Sequence, residues 1–375
     1  MLDDTQIIDK VVKGHSSAES RWARFGPYYA MFPIEFACKV VSSNSKRGDF
    51  VLDPFAGRGS SIFAAAALGR SSFGIEINPV GWLYSVAKLS PAPKEAVCNR
   101  ISEVIELSAK YKDATNEMSD FFKVCFSSNV LKFLLAAREC LDWKNNNIDS
   151  TLMAFILLYL HGKRGQSLSN QMPMTKSTSI NYSLEWWADK GLINPPEINI
   201  ADFFDKRLKW RYGKGIPVFA DNKVILGDST TDLQHFRVWQ NPPKEIKLLF
   251  TSPPYYGVTN YFIDQWLRMW VLGGPDAPVI SDEKYKKRFD SKKDYEDLLD
   301  IVFGQCSLMM APNSTIYVRT DVREFTLEIT RKVLKKHFPD YSYTEENNIC
   351  TKKSQTELLN NSKDKPKEVD IVMQR

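Results

Sequence analysis

Phe50-Val51-Leu52-Asp53 is followed at once by Pro54-Phe55-Ala56-Gly57-Arg58-Gly59-Ser60. The first four residues predict a short apolar strand, and residues 61–68 have the small, Ala-rich composition typical of a helix packed on a sheet. A second predicted strand, residues 72–77, carries Glu76 near its end and is closed by Asn78-Pro79. Strand, glycine loop, helix and acid-bearing strand together predict the first βαβ unit of a nucleotide-binding sheet.

Five further strands complete the predicted sheet. Residues 223–226 and 246–250 are short apolar runs, and residues 314–319 follow a predicted helix at 298–310 and a turn at Pro312-Asn313. Residues 341–349 and 368–373 are predicted to close the sheet as an antiparallel pair. The fold class is therefore α/β, with a seven-stranded sheet and helices on both faces.

The middle of the chain does not continue this alternation. Residues 101–111, 129–141 and 151–161 are predicted helices, and a polar stretch follows at 162–182. We interpret residues 86–215 as a mostly helical insertion with a long loop. It divides the sheet domain into an N-terminal part, residues 1–85, and a C-terminal part, residues 216–375.

The composition is that of an ordinary soluble globular protein, with 43% apolar and 25% charged residues. The net charge of +5 permits a polyanionic partner without requiring one. Six scattered cysteines without a CxxC pair, and only four histidines, predict reduced thiols and no metal site. The longest apolar run is too short to span a membrane, and the N-terminus lacks a signal peptide, so we expect a cytoplasmic protein.

The glycine loop and three acids could hold a nucleotide-like ligand. Gly57 and Gly59 let the backbone pass close to a ligand, although a GxG pair also occurs in ordinary tight turns. Asp53, Glu76 and Asp228 each end a predicted strand. Asp53 could instead fix the turn, and Asp228 could cap a helix. The three acids together favour a ligand lying across the carboxyl edge of the sheet, with Glu76 gripping ribose hydroxyls.

A second motif, Thr251-Ser252-Pro253-Pro254-Tyr255-Tyr256, follows the apolar run 246–250. It places a small hydroxyl, two rigid prolines and an aromatic ring at the end of a buried strand. This combination suits a flat ring that carries an amino group, such as a nucleobase. The alternative is an ordinary turn, because Pro-Pro often simply ends a strand.

Together, residues 53–60 and Thr251–Tyr255 resemble the amino-directed DNA methyltransferases that use S-adenosylmethionine. Residues 24–33, Arg-Phe-Gly-Pro-Tyr-Tyr-Ala-Met-Phe-Pro, resemble that family's additional donor-binding motif. The resemblance implies a Rossmann-like methyltransferase sheet with S-adenosylmethionine as cofactor. It implies donor contacts from Phe25, Tyr28, Phe32, Asp53, Pro54, Phe55, Gly57, Gly59, Ser60, Glu76, Asn78 and Asp228, and catalytic roles for Ser252, Pro253, Pro254 and Tyr255.

The chemistry fits these residue types. The Ser252 hydroxyl and the Pro253 carbonyl could accept the hydrogens of an exocyclic amine and free its lone pair, while Tyr255 stacks on the base. No Pro-Cys dipeptide occurs, which argues against a cytosine-C5 enzyme. In the family, the SPPY form is typical of enzymes acting on N4 of cytosine. Methylation of N6 of adenine, an RNA base methyltransferase and a non-catalytic DNA-binding relative remain as alternatives.

The expected partner is double-stranded DNA with a flipped target base, in a restriction–modification or related defence system with a possible cognate restriction endonuclease. We expect neither a membrane nor a metal. The insertion, residues 86–215, is the candidate target-recognition region on its composition. DNA contacts are predicted for Lys163, Arg164, Gln166, Asn170, Lys206, Arg207, Lys209 and Arg211, although a charge run is often just a solvated face.

Overall fold

The computed structural model describes residues 2–27, 31–236, 245–257, 261–279, 291–348 and 368–375. The seven strands are Phe50–Asp53 (β1), Ser71–Glu76 (β2), Asn222–Leu226 (β3), Ile246–Thr251 (β4), Met310–Asp321 (β5), Ser342–Asn348 (β6) and Glu368–Gln374 (β7). The helices among the described residues are Asp4–Val12 (α1), Ala18–Ala23 (α2), Ile34–Asn44 (α3), Ser60–Ala67 (α4), Pro79–Leu89 (α5), Lys94–Ser108 (α6), Lys112–Glu117 (α7), Asp120–Cys125 (α8), Ser128–Cys140 (α9), Asn147–Tyr159 (α10), Ile180–Asp189 (α11), Ile200–Tyr212 (α12), Ser229–Asp232 (α13), Tyr261–Asp264 (α14), Trp266–Val271 (α15), Lys292–Ser307 (α16) and Glu324–His337 (α17), with a 3₁₀ turn at Ala109–Tyr111.

The strands form one sheet in the order β3-β2-β1-β4-β5-β7-β6. The five strands from β3 to β5 are parallel, and β7 pairs antiparallel with both β5 and β6. The predicted α/β class, the seven strands and the closing antiparallel pair are confirmed, and the sheet is Rossmann-like. The chain moves outward from β1 to β3 and then returns to place β4 on the other side of β1. A crevice for a ligand forms at such a switch point, outside the carboxyl ends of β1 and β4.

Side chains alternate between two cores on opposite faces of the sheet, as strand geometry requires. Val51 belongs to the core under α3, α4 and α5, whereas Phe50 and Leu52 belong to the core under α16 and α17. Helices therefore cover both faces, and the buried sheet fixes the strand ends that carry the candidate site.

The insertion is helical, as predicted, but it does not have a hydrophobic core of its own. α10 packs against α5, and Phe155 of α10 lies in the same cluster of buried residues as Val51 of β1. Four helices of the insertion, α7, α8, α11 and α12, were not predicted from the sequence. The polar composition of residues 162–182 masked the start of α11, and the basic run at 206–214 lies mostly on α12.

One boundary prediction was wrong. The sequence predicted a helix to residue 310 and a turn at Pro312-Asn313, whereas α16 ends at Ser307 and β5 already begins at Met310. The pairing of β5 with β4 shifts register between Ile246–Met310 and Leu248–Thr315. Pro312 and Asn313 therefore lie in an irregularity inside the strand, where a proline without an N–H is tolerated.

Candidate functional site

The glycine loop after β1 is shaped by three close backbone approaches. Gly57 and Gly59 adopt positive φ values of 54° and 70°, which other residues rarely adopt. A Cβ added to Gly59 would lie 2.6 Å from the Ser85 hydroxyl, and one added to Gly81 would lie 2.8 Å from the Gly57 carbonyl oxygen. The Ser85 hydroxyl donates to that same carbonyl at 3.2 Å. Helix α5 thus packs directly on the loop because residue 81 has no side chain, a role that the sequence analysis missed.

Glu76 holds the loop from the end of β2. Its two carboxylate oxygens accept hydrogen bonds from the Gly57 N–H at 2.6 Å and the Asn78 N–H at 2.8 Å. Burial raises the pKa of Glu76 to about 7, although these two hydrogen bonds oppose the shift. Each oxygen keeps a lone pair, so the carboxylate can still accept a second hydrogen bond from a ligand hydroxyl.

Asn78 offers a donor beside this carboxylate. Its side-chain oxygen accepts from the Val80 N–H at 2.9 Å and caps the N-terminus of α5. The Nδ2 amide of Asn78 is buried and has no hydrogen-bond partner within the described ranges. A buried amide costs free energy unless it is paired, so this group fits a polar ligand atom. The hydroxyl of Ser60, at the start of α4, is likewise buried and unpaired there.

Asp53 joins the two sequence motifs. Its carboxylate accepts hydrogen bonds from the Phe55 N–H at 3.0 Å, from the Ser61 hydroxyl and from the Thr251 hydroxyl at 2.6 Å. Burial raises the pKa of Asp53 to about 6, and these three donors oppose the shift. The bond to Thr251 ties the end of β1 to the end of β4. The glycine loop and the Ser252–Tyr255 motif therefore lie side by side, and Asp53 connects them.

Asp228 lies at the same edge, after β3. Its carboxylate caps α13 by accepting from the Thr230 N–H at 3.0 Å and the Thr230 hydroxyl at 2.8 Å. The next residue, Ser229, donates from its hydroxyl to the carbonyl of Pro54. The cap that the sequence offered as an alternative is thus present, and it fixes Asp228 next to the loop. A donor contact by Asp228, Pro54 or Phe55 stays a prediction.

The upstream motif packs under the loop. The Arg58 guanidinium donates to the Gly26 carbonyl at 2.8 Å. Phe25 is fully buried, with ring centroids 5.0 Å from Phe155 and 5.9 Å from Tyr84, and a donor contact by Phe25 stays a prediction. Phe32 stacks on Phe250 of β4 at 4.6 Å and stays a donor-binding prediction. The prediction for Tyr28 lies outside the described residues.

The Ser252–Tyr255 motif leaves the carboxyl end of β4. Ser252, Pro254 and Tyr255 are half-buried, so a ligand can reach them, and Pro253 is buried. The Tyr255 hydroxyl donates to the Glu368 carboxylate at 3.2 Å. Tyr256 instead packs between Tyr295 and Phe325, in the core under α16 and α17. A stacking role for Tyr255 stays a prediction.

The polar loop of the insertion is fastened to the segment that follows this motif. The Gln265 side-chain amide and the Trp266 indole N–H each donate at 2.9 Å, to the carbonyls of Thr175 and Thr178 respectively. Residues 261–271, which follow the Ser252–Tyr255 motif, are called the candidate catalytic segment. Both bonds join a side chain of this segment to the backbone of the loop, so they position the loop without using its side chains.

Two further contacts complete this attachment. The Ser177 N–H donates to the Asp264 carbonyl at 2.7 Å. The buried Arg268 guanidinium donates to the carbonyls of Leu157 and Met174, at 2.9 and 2.7 Å. Residues 174–178, which we call the anchored loop, are thereby held beside the candidate catalytic segment.

Residues 5–80 match the N6/N4 DNA methylase family. Over 79 residues the chain is 37% identical to the type II methyltransferase M.MthZI of Methanothermobacter thermautotrophicus, covering 21% of this chain and 19% of that protein. It is 24% identical over 247 residues to the type II methyltransferase M.MvaI of Kocuria varians, covering 57% and 50% respectively. The aligned parts span half or less of these relatives. The chain resembles the N6/N4 DNA methyltransferases.

Among solved structures, the chain is similar to TrmN from Thermus thermophilus, with 10% identity and a TM-score of 0.34 over 95% of this chain and 52% of that one. Within the described residues, no helix is long and apolar enough to cross a membrane. Over the same residues, no group of three or more His, Cys, Asp or Glu side chains is arranged to hold a metal ion.

The residues predicted to contact DNA divide into exposed and interior groups. Asn170 is buried, and its amide donates to the carbonyls of Val124 and Leu192 while its oxygen accepts from Arg164. Arg211 is buried, and it donates to the Arg21 carbonyl. We reassign both residues to support of the fold, because both side chains are buried and hydrogen-bond to backbone carbonyls inside the protein.

Arg207 is also engaged, since its guanidinium lies 3.3 Å from the Phe203 ring centroid and donates to the Gln166 carbonyl. Lys209 is exposed but pairs with Asp205 at 2.7 Å. The members of the set with exposed side chains are Lys163, Gln166, Lys206 and Lys209. For these four residues, and for the half-buried Arg164 and Arg207, DNA contact stays a prediction.

Proposed function

We propose that the protein transfers a methyl group from S-adenosylmethionine to the N4 amino group of cytosine in DNA. The observation that carries the proposal is the hydrogen bond between Asp53 and Thr251. It joins the glycine loop to the Ser252–Tyr255 motif at the switch point of the sheet. A donor and an acceptor bound at these two motifs would be neighbours, and proximity supplies much of the rate in such a transfer.

The residues around the glycine loop fit S-adenosylmethionine. A Cβ at residue 59 would meet the Ser85 hydroxyl, and one at residue 81 would meet the Gly57 carbonyl oxygen, so these two glycines set the shape of the loop against α5. Glu76 offers carboxylate oxygens to a ribose diol, and the unpaired Asn78 amide offers a donor beside them. When bound, S-adenosylmethionine supplies an electrophilic methyl group. The chain's own part is to hold the donor still and to keep water out of this buried edge.

The Ser252–Tyr255 motif would prepare the amine. The lone pair of an exocyclic amine is delocalised into its ring, so the amine is a poor nucleophile. By accepting the two N–H hydrogens, the Ser252 hydroxyl and the Pro253 carbonyl would favour a pyramidal nitrogen with an available lone pair. The Tyr255 ring would stack on the base. Taking the base out of the duplex costs a few kcal/mol of unstacking, which such stacking offsets in part.

The first test is to identify the methylated nucleoside. We expect the protein, incubated with isotopically labelled S-adenosylmethionine and duplex DNA, to yield N4-methylcytosine on digestion and mass spectrometry. N6-methyladenine in its place would overturn the choice of base and keep the choice of reaction. Label in RNA alone would support an RNA base methyltransferase. No label in any nucleic acid, without donor binding by calorimetry, would support a non-catalytic relative.

Replacing the hydroxyl tests the role of the motif. We expect Ser252→Ala to lower kcat on the order of 100-fold, because one of the two acceptors for the amine hydrogens is lost. Donor affinity should stay unchanged. Ser342→Ala, which removes an exposed hydroxyl of β6, is the matched control and should keep full activity. An equally active Ser252→Ala enzyme would show that the hydroxyl does not grip the amine.

We also propose that the methylation protects DNA from a cognate restriction endonuclease. The proposal is supported by the names of the relatives, which are type II methyltransferases. Methylation-sensitive sequencing of host DNA with and without the gene should show one modified sequence context that disappears in its absence. Modification without a defined context would contradict a role in restriction–modification.

A further inference from the structure

The last strand of the sheet brings an acid to the catalytic motif. Glu368 is the first residue of β7 and pairs with Asp321, the last residue of β5. Because β7 is antiparallel, its first residue lies at the sheet edge where β1, β4 and β5 end. The Glu368 carboxylate accepts the hydrogen bond of the Tyr255 hydroxyl at 3.2 Å, across 113 positions of sequence. The sequence motifs provided no indication of this contact.

Arg319 of β5 holds this acid in place. It forms a two-pronged pair with Asp370, at 2.6 and 2.7 Å, and its Nη1 lies 3.4 Å from the Glu368 carboxylate. The paired fork gives the guanidinium a fixed direction. Its central carbon also lies 3.7 Å from the ring centroid of Phe36. Asp370 and Phe36 therefore fix the orientation of the Arg319 guanidinium beside Glu368.

The environment of Glu368 strengthens the contact. Burial raises the pKa of Glu368, and Arg319 opposes that shift, followed by the hydrogen bond from Tyr255. A phenol hydrogen bond to a partly buried carboxylate is stronger than the same bond in water. Arg319 and Glu368 thus form a fixed support for the ring at position 255.

We propose that Glu368, held by Arg319, is a positioning residue that fixes the Tyr255 ring for stacking on the target base. The proposal rests on the proposed function, since the base is the expected partner of that ring. A tyrosine side chain has two rotatable bonds, and the hydrogen bond at its far end restricts both. A ring fixed in advance loses less freedom when the base arrives, which favours productive placement of the amine.

The kinetic test compares Glu368→Gln, Tyr255→Phe and the double variant. Each single change weakens or removes the same hydrogen bond while keeping the ring and the side-chain size. We expect each to lower kcat roughly 10-fold and to leave donor affinity by calorimetry unchanged. The double variant should be no worse than the poorer single variant, because both changes break one contact. Losses that multiply independently would overturn the proposal.

Glu345→Gln is the matched control. Glu345 lies on the neighbouring β6 and is paired at both oxygens with Arg331, at 2.6 Å each, away from the catalytic motif. The Glu345→Gln variant therefore loses a comparable arginine–carboxylate pair from the same antiparallel part of the sheet. We expect it to keep wild-type kcat. A similar loss of kcat in Glu345→Gln would assign the effect to the stability of the antiparallel pair β6–β7 and overturn the positioning role.

A spectroscopic measurement separates this inference from the proposed function. With ¹³C-labelled tyrosine rings, the Tyr255 resonance is assigned by its loss in Tyr255→Phe. It should shift in Glu368→Gln and stay in place in Glu345→Gln, whether or not the protein methylates DNA. An unshifted Tyr255 resonance would overturn the positioning role. A shifted resonance in a protein that methylates no DNA would instead overturn the proposed function.

Discussion

The glycine loop and the anchored loop, residues 174–178, both border the candidate site, yet the protein fixes them in different ways. Residues 53–60 are held by Glu76, Gly81 and Ser85, which lie within about thirty positions of the loop. The anchored loop is held by Gln265, Trp266 and Arg268, which lie 88 to 94 positions away. The glycines of the first loop are therefore set by nearby residues, while its first residues, Asp53 and Pro54, also bond to the distant Thr251 and Ser229. The contacts that define the anchored loop all come from distant residues.

The hydrogen-bonding groups differ as well. At the glycine loop, the Glu76 carboxylate accepts from backbone N–H groups, and the Ser85 and Ser229 hydroxyls donate to backbone carbonyls. At the anchored loop, side chains of the candidate catalytic segment donate to backbone carbonyls, so the side chains of Thr175 and Thr178 are not used in these bonds. A loop held through its carbonyls can vary its side chains without losing its position. If residues 86–215 recognise the target, as the composition predicts, the glycine loop would meet a constant ligand and the anchored loop a specific DNA sequence.

The largest effect should follow from Gly59→Ala. Residue 59 has a φ of 70°, and the added Cβ would lie 2.6 Å from the Ser85 hydroxyl. Strain and overlap together should weaken donor binding on the order of 100-fold, measured by calorimetry. Gly14→Ala is the matched control, because Gly14 has a φ of 57° and no atom within 4 Å of the added Cβ. Equal losses in both variants would show that backbone strain alone, and not the shape of the cradle, explains the result.

Arg268→Lys tests the other loop. A lysine cannot reach the carbonyls of Leu157 and Met174 together, so one buried acceptor loses its partner. We expect KM for DNA to rise roughly 10-fold while donor affinity is kept. Arg138→Lys is the matched control, since Arg138 donates to the carbonyls of Trp270 and Gly274 at the far end of α15. A similar rise in KM for Arg138→Lys would show that DNA binding does not depend on the position of the anchored loop.

This difference also explains what the sequence could and could not predict. The βαβ unit and the seven strands were predictable, because strand ends and loop glycines lie close together in the chain. The pairing of the two motifs was predictable only from the family resemblance, because Asp53 and Thr251 lie 198 positions apart. Asn170 and Arg211 have the side chains of DNA-reading residues, and only their burial reveals a structural role. Gly81 and Glu368 were missed because a helix glycine and a distant acid carry no local pattern.

The third expected effect is a pH dependence from Glu76, whose pKa burial raises to about 7. The folded protein keeps this proton up to about pH 7, whereas the unfolded chain releases it near 4.5. The folded state thus binds more protons across that window, and the free energy of unfolding falls as the pH rises through it. The melting temperature should therefore fall as the pH rises through this window, and it should fall less in the Glu76→Gln variant. Asp53, with a pKa of about 6, also lowers the free energy of unfolding as the pH rises, and this contribution remains in the Glu76→Gln variant.

The affinity for the donor should rise with pH, whereas the free energy of unfolding falls. The ionised form of Glu76 is the better acceptor for ribose hydroxyls, so donor affinity should rise as the pH passes through about 7. In Glu76→Gln the affinity should be lower and lose this dependence, because the new amide also faces one of the N–H groups of Gly57 and Asn78. Glu35→Gln, at an exposed position of α3, should keep the wild-type profile. A wild-type affinity that is flat between pH 6 and 8, an interval of about one unit on each side of the pKa, would exclude Glu76 from the donor site.

The smallest effect should come from Trp266→Phe, which removes a single hydrogen bond from the anchored loop. The indole N–H donates to the Thr178 carbonyl at 2.9 Å, and a phenylalanine ring can keep the packing against Phe121. One such bond contributes about 1 kcal/mol, so KM for DNA should rise only several-fold, with kcat and donor affinity unchanged. Trp82→Phe loses a similar bond to the Val224 carbonyl of β3, at 3.0 Å, which is not a bond to the anchored loop. Both variants lose one hydrogen bond, so a difference in KM for DNA would reflect where the lost bond lies. A rise in KM for Trp82→Phe but not for Trp266→Phe would place the DNA-binding surface on the donor side of the molecule.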